Sequence, residues 1–159
     1  MTSRKRTRRF TQGGHALIEL AFSAAVMMSC LAGTVQFGYT FYAYNQLVSA
    51  VGNGGRYAVM RTYRAATPED VERGRAAIRN MVVFGEPNPA PGATPMLPNL
   101  TPAEVQVKWT LDASGAPDAV DVAIAGYAVN AVFGAMKLDG RPAVEFPYVG
   151  RYAPSEREP

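Results

Sequence analysis

The feature that most constrains this chain is a long uncharged stretch near its start. No Asp, Glu, Lys or Arg occurs from Leu20 to Gly55, and the most apolar part runs from Ala16 to Phe37. About 22 residues at roughly 1.5 Å rise each cover the roughly 30 Å hydrocarbon core of a bilayer, whereas a secretory signal has only about 7 to 15 apolar residues. The sequence therefore predicts a transmembrane helix that is retained.

The charge pattern predicts how this helix is oriented. Five of the 16 basic residues lie before Gly14, with no acidic residue among them, and 11 basic residues then remain against 13 acidic ones. The positive-inside rule places such an N-terminus in the cytoplasm, so everything after about residue 45 is exported. The exported part is mildly acidic, and we expect no nucleic-acid partner. A belt of aromatic residues is predicted where the helix leaves the membrane lipid: Tyr39, Phe41, Tyr42 and Tyr44.

Two other interpretations of the apolar stretch fit less well. Ser23 and Ala25 imitate the small-x-small pattern of an ordinary signal peptidase site, but the apolar residues 26–31 beyond it argue against cleavage there. Cys30 could be a lipoprotein site, but the residues before it match the usual lipobox poorly. The length of the span favours a retained helix over both.

The chain contains few residues that could carry out enzyme chemistry. Cys30 is the only cysteine and His15 the only histidine, so an intramolecular disulfide, a cysteine-rich zinc site and a multi-histidine metal centre are excluded. Asp118 and Asp121 could share a cation, but their spacing on a strand places them on opposite faces. We therefore expect no catalytic residues, no metal, no cofactor and no enzyme activity.

The most specific motif in the chain is the segment GGHALIEL at residues 13–20. A charge inside an apolar helix costs roughly 2.5 to 3.5 kcal/mol at the bilayer centre, so Glu19 is either an interfacial residue that is tolerated or a functional one. A basic leader, a glycine, four uncharged residues, a glutamate and an apolar helix together resemble the class III signal of type IV pilin-like proteins. The resemblance implies that a prepilin peptidase cuts after Gly14, which makes His15 the new N-terminus and Glu19 the fifth mature residue.

Residues 13–63 further resemble the TadE-like minor pilins, or pseudopilins, of the tight-adherence (Tad, or Flp) pilus system. The shared features are the glycine-to-glutamate start, a span ending in polar and aromatic residues, and a small-residue helix with an arginine, here Arg56. The major Flp pilins carry a tyrosine where this chain has Leu20, and they are much shorter, which indicates a minor component.

The resemblance implies a protein of the bacterial inner membrane that takes part in assembling a pilus for surface adherence. Its implied partners are the prepilin peptidase, sister minor pilins, the major Flp pilin as a further candidate, and the inner-membrane assembly platform. The rival interpretation is a signal-anchored envelope domain that keeps its leader and binds a ligand or a cell-wall component.

We expect an α+β fold in which the long N-terminal transmembrane helix is followed by a second, amphipathic helix and a small antiparallel β-sheet in the exported domain. The glycines in residues 52–55 each cost about 1 kcal/mol in a helix, which predicts a bend, a melted turn or a loop there. Thr67-Pro68 reads as the start of the second helix, and Gly85 as its end. Residues 86–102 contain six prolines and are expected to form a connector.

The predicted sheet comes from alternating apolar residues. Residues 105–111 and 120–124 should form a hairpin around a turn at 112–118, and 143–148 a weaker third strand after a turn at 139–142. The predicted organisation is a leader at 1–14, a transmembrane and interfacial helix at 15–45, an exported domain at 46–153 and a polar tail at 154–159.

Overall fold

The computed structural model describes residues 12–61, 63–64, 67–131 and 133–153. Most of the predicted leader, with its basic cluster, and the predicted tail at 154–159 lie outside these residues. The described part has an α+β fold, which confirms the predicted fold class. Its elements in chain order are helix α1 (Gln12–Met60), strand β1 (Tyr63–Arg64), helix α2 (Pro68–Phe84), a short 3-10 helix (Pro102–Glu104) and strands β2 (Val105–Leu111), β3 (Pro117–Ala131), β4 (Gly134–Pro147) and β5 (Tyr152–Ala153).

The first half of α1 projects away from the rest of the molecule. Every side chain from His15 to Leu31 is exposed, and apolar residues surround the helix on all sides rather than forming one stripe. The hydroxyls of Ser29, Thr34 and Thr40 donate to the carbonyl oxygens four residues earlier, at 2.8 to 3.0 Å. These polar side chains are therefore satisfied within the helix, as a lipid environment requires.

The second half of α1 is part of the hydrophobic core. Buried residues begin at Ala43 and recur every three or four positions, which places them on one face of the helix. Most of them are small, so α1 lies close to both α2 and the sheet. They are Ala43, Leu47, Ala50, Val51, Gly54, Gly55, Ala58 and Val59.

The melted turn or loop predicted at residues 52–55 is wrong, because α1 continues through all three glycines to Met60. A Cβ at Gly54 would lie 2.4 Å from Val82 Cγ2 of α2, and one at Gly55 would lie 2.7 Å from the Phe146 ring of β4. Ordinary carbon–carbon contacts are about 3.5 to 4.0 Å. The glycines are thus sites of close packing, and the tertiary contacts that they allow outweigh their low helix propensity.

Helix α2 begins and ends where the sequence predicts. Thr67 is the N-cap, its hydroxyl oxygen accepts a hydrogen bond from the backbone N–H of Asp70 at 3.2 Å, and Pro68 takes the first helical position. Gly85 ends the helix in the left-handed conformation at φ 76°. The face toward α1 and the sheet buries Ile78, Val82 and Val83.

Strands β2, β3 and β4 form an antiparallel sheet with β3 in the centre. Val105 pairs with Ile124 and Trp109 with Val120, which confirms the predicted hairpin. In the turn between β2 and β3, Asp112 accepts hydrogen bonds from the N–H groups of Ser114 and Ala116, at 2.8 and 2.9 Å. The Ser114 hydroxyl is the main cause of the lowered pKa of this carboxyl.

The second hairpin is longer than the sequence predicts. The predicted turn at 139–142 is wrong, since these residues lie inside β4. Ala123 pairs with Ala143, and Ala125 pairs with Asp139. Residues 140–142 of β4 therefore lie opposite the single residue 124 of β3, as an irregularity in the pairing. The chain reverses instead at residues 131–134, far beyond the predicted hairpin.

Candidate functional site

The predicted site residues lie in the first turns of α1. Gly14, His15 and Glu19 are all exposed there. His15 and Glu19 are four residues apart, so they lie on one face of the helix with about 6 Å of axial rise between them. The structure therefore brings the first and fifth residues of the predicted mature chain onto a common face.

Glu19 has no hydrogen bond or ion pair with any residue that the structure describes. Its surroundings are apolar, because Leu17, Ile18, Leu20 and Phe22 are each about two-thirds exposed or more. An apolar surface of this size on a soluble monomer marks a contact with lipid or with another protein. An unpaired carboxylate within such a surface is costly, and a partner that supplies a cation or hydrogen-bond donors would lower that cost.

The bond between Gly14 and His15 lies within the first turn of α1. A protease binds its scissile segment in an extended conformation, so this turn must unwind before the bond can be cut. Gly13 and Gly14 each weaken a helix by about 1 kcal/mol relative to alanine, and a Cβ at Gly14 would touch nothing within 4 Å. The segment is therefore weakly held and sterically open.

A second polar arrangement joins the end of α1 to the end of the chain. The Tyr148 hydroxyl accepts a hydrogen bond from the Tyr63 backbone N–H at 2.7 Å and contacts the carbonyl oxygens of Arg61 and Arg151, the latter at 2.9 Å. Burial raises the pKa of this hydroxyl, while the Tyr63 N–H and the Arg61 guanidinium partly oppose the shift. Trp109 packs against both rings, with centroids 4.9 Å from Tyr63 and 5.6 Å from Tyr148.

A cavity of about 340 Å³ lies beside this cluster. Arg61, Tyr57 and Trp109 contribute to its walls, and the Arg73–Asp70 ion pair, at 3.0 Å, borders it. Nη1 of Arg61 is buried and has no hydrogen-bond partner among the described residues, while its guanidinium carbon lies 5.6 Å from the Tyr57 ring centroid. No local sequence pattern marks this cavity, because α1, β1, α2 and β2 each contribute residues to it.

Other charged side chains among the described residues lie on α1 and α2. Arg56, the arginine of the resembling segment, is exposed on α1. On α2, Arg79 pairs with Glu72 at 2.6 Å and its Nε donates to the Val105 carbonyl oxygen at 3.2 Å, which links this helix to the start of β2. Within 12–61, 63–64, 67–131 and 133–153, no three His, Cys, Asp or Glu residues are grouped so that they could hold a metal ion.

These features define a class of protein. α1 is long and apolar enough to cross a membrane by its length and composition, so it fits a single-pass membrane anchor, and it carries a small α+β domain at its C-terminal end.

A comparison with protein families then narrows the class. The family model described as TadE-like protein matches residues 14–56, from the glycine before the predicted cut to the exposed Arg56, which confirms the resemblance to TadE-like proteins over this segment. Over these residues the chain is therefore similar to a family of pilin-like proteins associated with the Tad pilus. No curated protein and no solved structure shows significant similarity to the chain.

Proposed function

We propose that this protein is a minor pilin, or pseudopilin, that a prepilin peptidase processes and that takes part in assembling a Tad-type pilus for surface adherence. The observation that carries the proposal is the family match over residues 14–56, because it covers both the predicted cleavage segment and the exposed half of α1. The basic leader and the unpaired Glu19 support it. The proposal includes an inner-membrane position with a cytoplasmic N-terminus and an exported domain, which the charge pattern favours.

The proposed contact between subunits uses the helix face that carries His15 and Glu19. Cleavage after Gly14 gives His15 a free α-amino group, which is a cation beside the apolar phase. Glu19 of a neighbouring subunit is a suitable counter-charge, since its carboxylate pairs with no described residue of its own chain. At about 4 Å and an effective dielectric near 20, such a pair attracts by roughly 4 kcal/mol before desolvation is subtracted. The pair would fix the stagger between adjacent helices.

The proposed partners act on different parts of the chain. The peptidase acts on the segment around Gly14, and the exposed half of α1 contacts membrane lipid before assembly. Sister minor pilins then replace part of that lipid, and the major Flp pilin is a further candidate partner. The assembly platform receives the protein in the same membrane.

N-terminal sequencing of the protein extracted from membranes tests processing. We expect the sequence to begin at His15, and we expect Gly14→Val to leave the chain at full length because the peptidase needs an unbranched residue at the cut. Gly13→Val is the matched control: it changes the neighbouring glycine but should still mature, because Glu19 stays five residues beyond the cut. Normal maturation of Gly14→Val would refute the proposed processing.

A second candidate function is favoured by one feature, the cavity beside Arg61. In this interpretation the protein keeps its leader, anchors an envelope domain, and binds a ligand whose carbonyl or carboxylate accepts a hydrogen bond from the buried Arg61 Nη1. The sequencing experiment separates the two functions. An N-terminus at Met1 or Thr2 supports the envelope anchor, whereas His15 supports the pilin.

A further inference from the structure

The hairpin formed by β3 and β4 reaches the exposed half of α1. Ala131 pairs with Gly134 near its tip, and the backbone N–H of Phe133 donates a hydrogen bond to Oε1 of Gln36 at 2.9 Å. Gln36 belongs to the most apolar part of the chain, one turn before the first residue of the aromatic belt, Tyr39. The tip is therefore tied to the helix within the segment that the sequence places in the membrane.

The depth of this contact follows from the rise of the helix. A hydrocarbon core of roughly 30 Å takes up about 20 residues, so a span that begins at Ala16 reaches the far edge of the core near Gln36. The aromatic belt at residues 39–44 lies about 5 to 12 Å further along the axis, at the level of the headgroups. The tip then lies on the acyl side of the belt, at the boundary between acyl chains and headgroups.

The side chains at the tip suit such a boundary. Phe133 is 65% exposed and Met136, which pairs with Val129 near the end of the hairpin, is 47% exposed. Lys137 follows Met136 and is also exposed, so its ammonium group can reach lipid phosphates while its stem covers apolar surface. The next acidic residue, Asp139, lies further from the tip along β4.

The hydrogen bond between Gln36 and Phe133 lowers the cost of placing polar groups at that depth. A polar side chain in an apolar span and a free N–H at a hairpin tip would each be costly in lipid, and each would be satisfied by solvent in water. Here the Phe133 N–H and Gln36 Oε1 satisfy each other.

We propose that the β3–β4 tip, with Phe133 and Met136, inserts into the outer leaflet of the membrane beside α1, as a second contact between the exported domain and the lipid. The inference rests on the membrane anchor of the proposed function. It goes beyond it, because a pilin needs only its N-terminal helix to stay in the membrane.

Depth-dependent quenching on the full-length protein tests this insertion. In a Cys30→Ser background, single cysteines are introduced by Phe133→Cys and Met136→Cys and labelled with an environment-sensitive fluorophore. The labelled protein is placed in phosphatidylethanolamine–phosphatidylglycerol vesicles, in separate preparations whose lipids carry a quencher either high on the acyl chain or near its end. Leu111→Cys is the matched control, because Leu111 has the same 47% exposure as Met136 and lies at the opposite end of the sheet, roughly 40 Å along the strands. Ala25→Cys, in the middle of the span, reports on the anchor itself.

We expect labels at 133 and 136 to be quenched several-fold more strongly than the label at 111, and their emission to shift to shorter wavelength. If the label at 25 is quenched while those at 133 and 136 behave like the one at 111, the tip is in water or on a partner protein and the insertion is refuted, although the anchor stands. If the label at 25 is not quenched either, the anchor of the proposed function fails as well.

Discussion

Alanine at Gly54 and alanine at Gly52 should have opposite effects on stability, although the two glycines are two residues apart on α1. A Cβ at Gly52 would meet nothing within 4 Å, so Gly52→Ala should gain the helix propensity of alanine, about 1 kcal/mol. A Cβ at Gly54 would lie 2.4 Å from Val82 Cγ2, which is more than 1 Å closer than an ordinary contact.

The size of the difference follows from the surroundings of Val82. This side chain is fully buried, and a β-branched residue in a helix has one strongly preferred rotamer, so the clash cannot be relieved by a simple rotation. Overpacking of this kind costs about 1 to 3 kcal/mol. After the gain in propensity, Gly54→Ala should be neutral to about 2 kcal/mol destabilising, and the two variants should differ by about 1 to 3 kcal/mol.

Thermal unfolding of the detergent-solubilised full-length protein measures this difference. Trp109 is the only tryptophan and packs between Tyr63 and Tyr148, so its fluorescence reports on the exported domain. A difference of 2 kcal/mol corresponds to about 4 to 8 °C in Tm for a chain of this size. If Gly54→Ala raised Tm as much as Gly52→Ala, the close contact of α1 with α2 at Gly54 would be refuted, and with it the physical reason given for the continuous helix.

Further expectations concern assembly, titration and capping. Glu19→Ala should insert and mature but lose most of its crosslinking to partner pilins; unchanged crosslinking and normal piliation would mean that the carboxylate is only a tolerated interfacial residue. The raised pKa of Tyr148 contributes stability that is complete below about pH 10 and is lost as pH rises through its folded-state pKa. Tyr148→Phe should therefore flatten the fall in the free energy of unfolding above that pH in urea titrations, and an unaltered slope would contradict this. Thr67→Ala should cost about 1 kcal/mol in the same assay by removing the N-cap, whereas Thr94→Ala, in the connector, should cost much less. A reporter enzyme active only outside the cytoplasm should work when fused after residue 153, and activity of a cytoplasm-only reporter there would invert the topology.

The local signals in the sequence predicted the elements whose ends depend on local chemistry. α2 begins at Pro68 and ends before Gly85 because caps act within one turn, and the hairpin of β2 and β3 follows from alternating apolar residues. The segment around Glu19 carries a signal of the same local kind, because a charge within an apolar span is rare, and its role stays a prediction.

The failures came from contacts between distant parts of the chain. The glycines at 54 and 55 read as helix breakers until Val82 and Phe146 are known to pack against them. The second half of β3 was missed because its inward alternation, Val120 to Ile124, changes phase at Gly126 before it resumes at Tyr127. The bulge at Gly126, where φ is 81°, produces that shift. Alternation of apolar and polar residues in the sequence is interrupted at such a bulge, so the predicted strand ends there.

The continuity of α1 has a mechanical consequence. Its 49 residues form a rod about 74 Å long, and more than a third of it, from Ala43 onward, is packed into the exported domain. A domain on a flexible tether would sample many orientations above the membrane, but here a tilt of the span is a tilt of the whole domain. From Phe37 to Met60 the lever arm is about 35 Å, so a 10° change in tilt moves the far end by about 6 Å. Rotation of the helix about its axis likewise turns every surface of the domain toward a new neighbour.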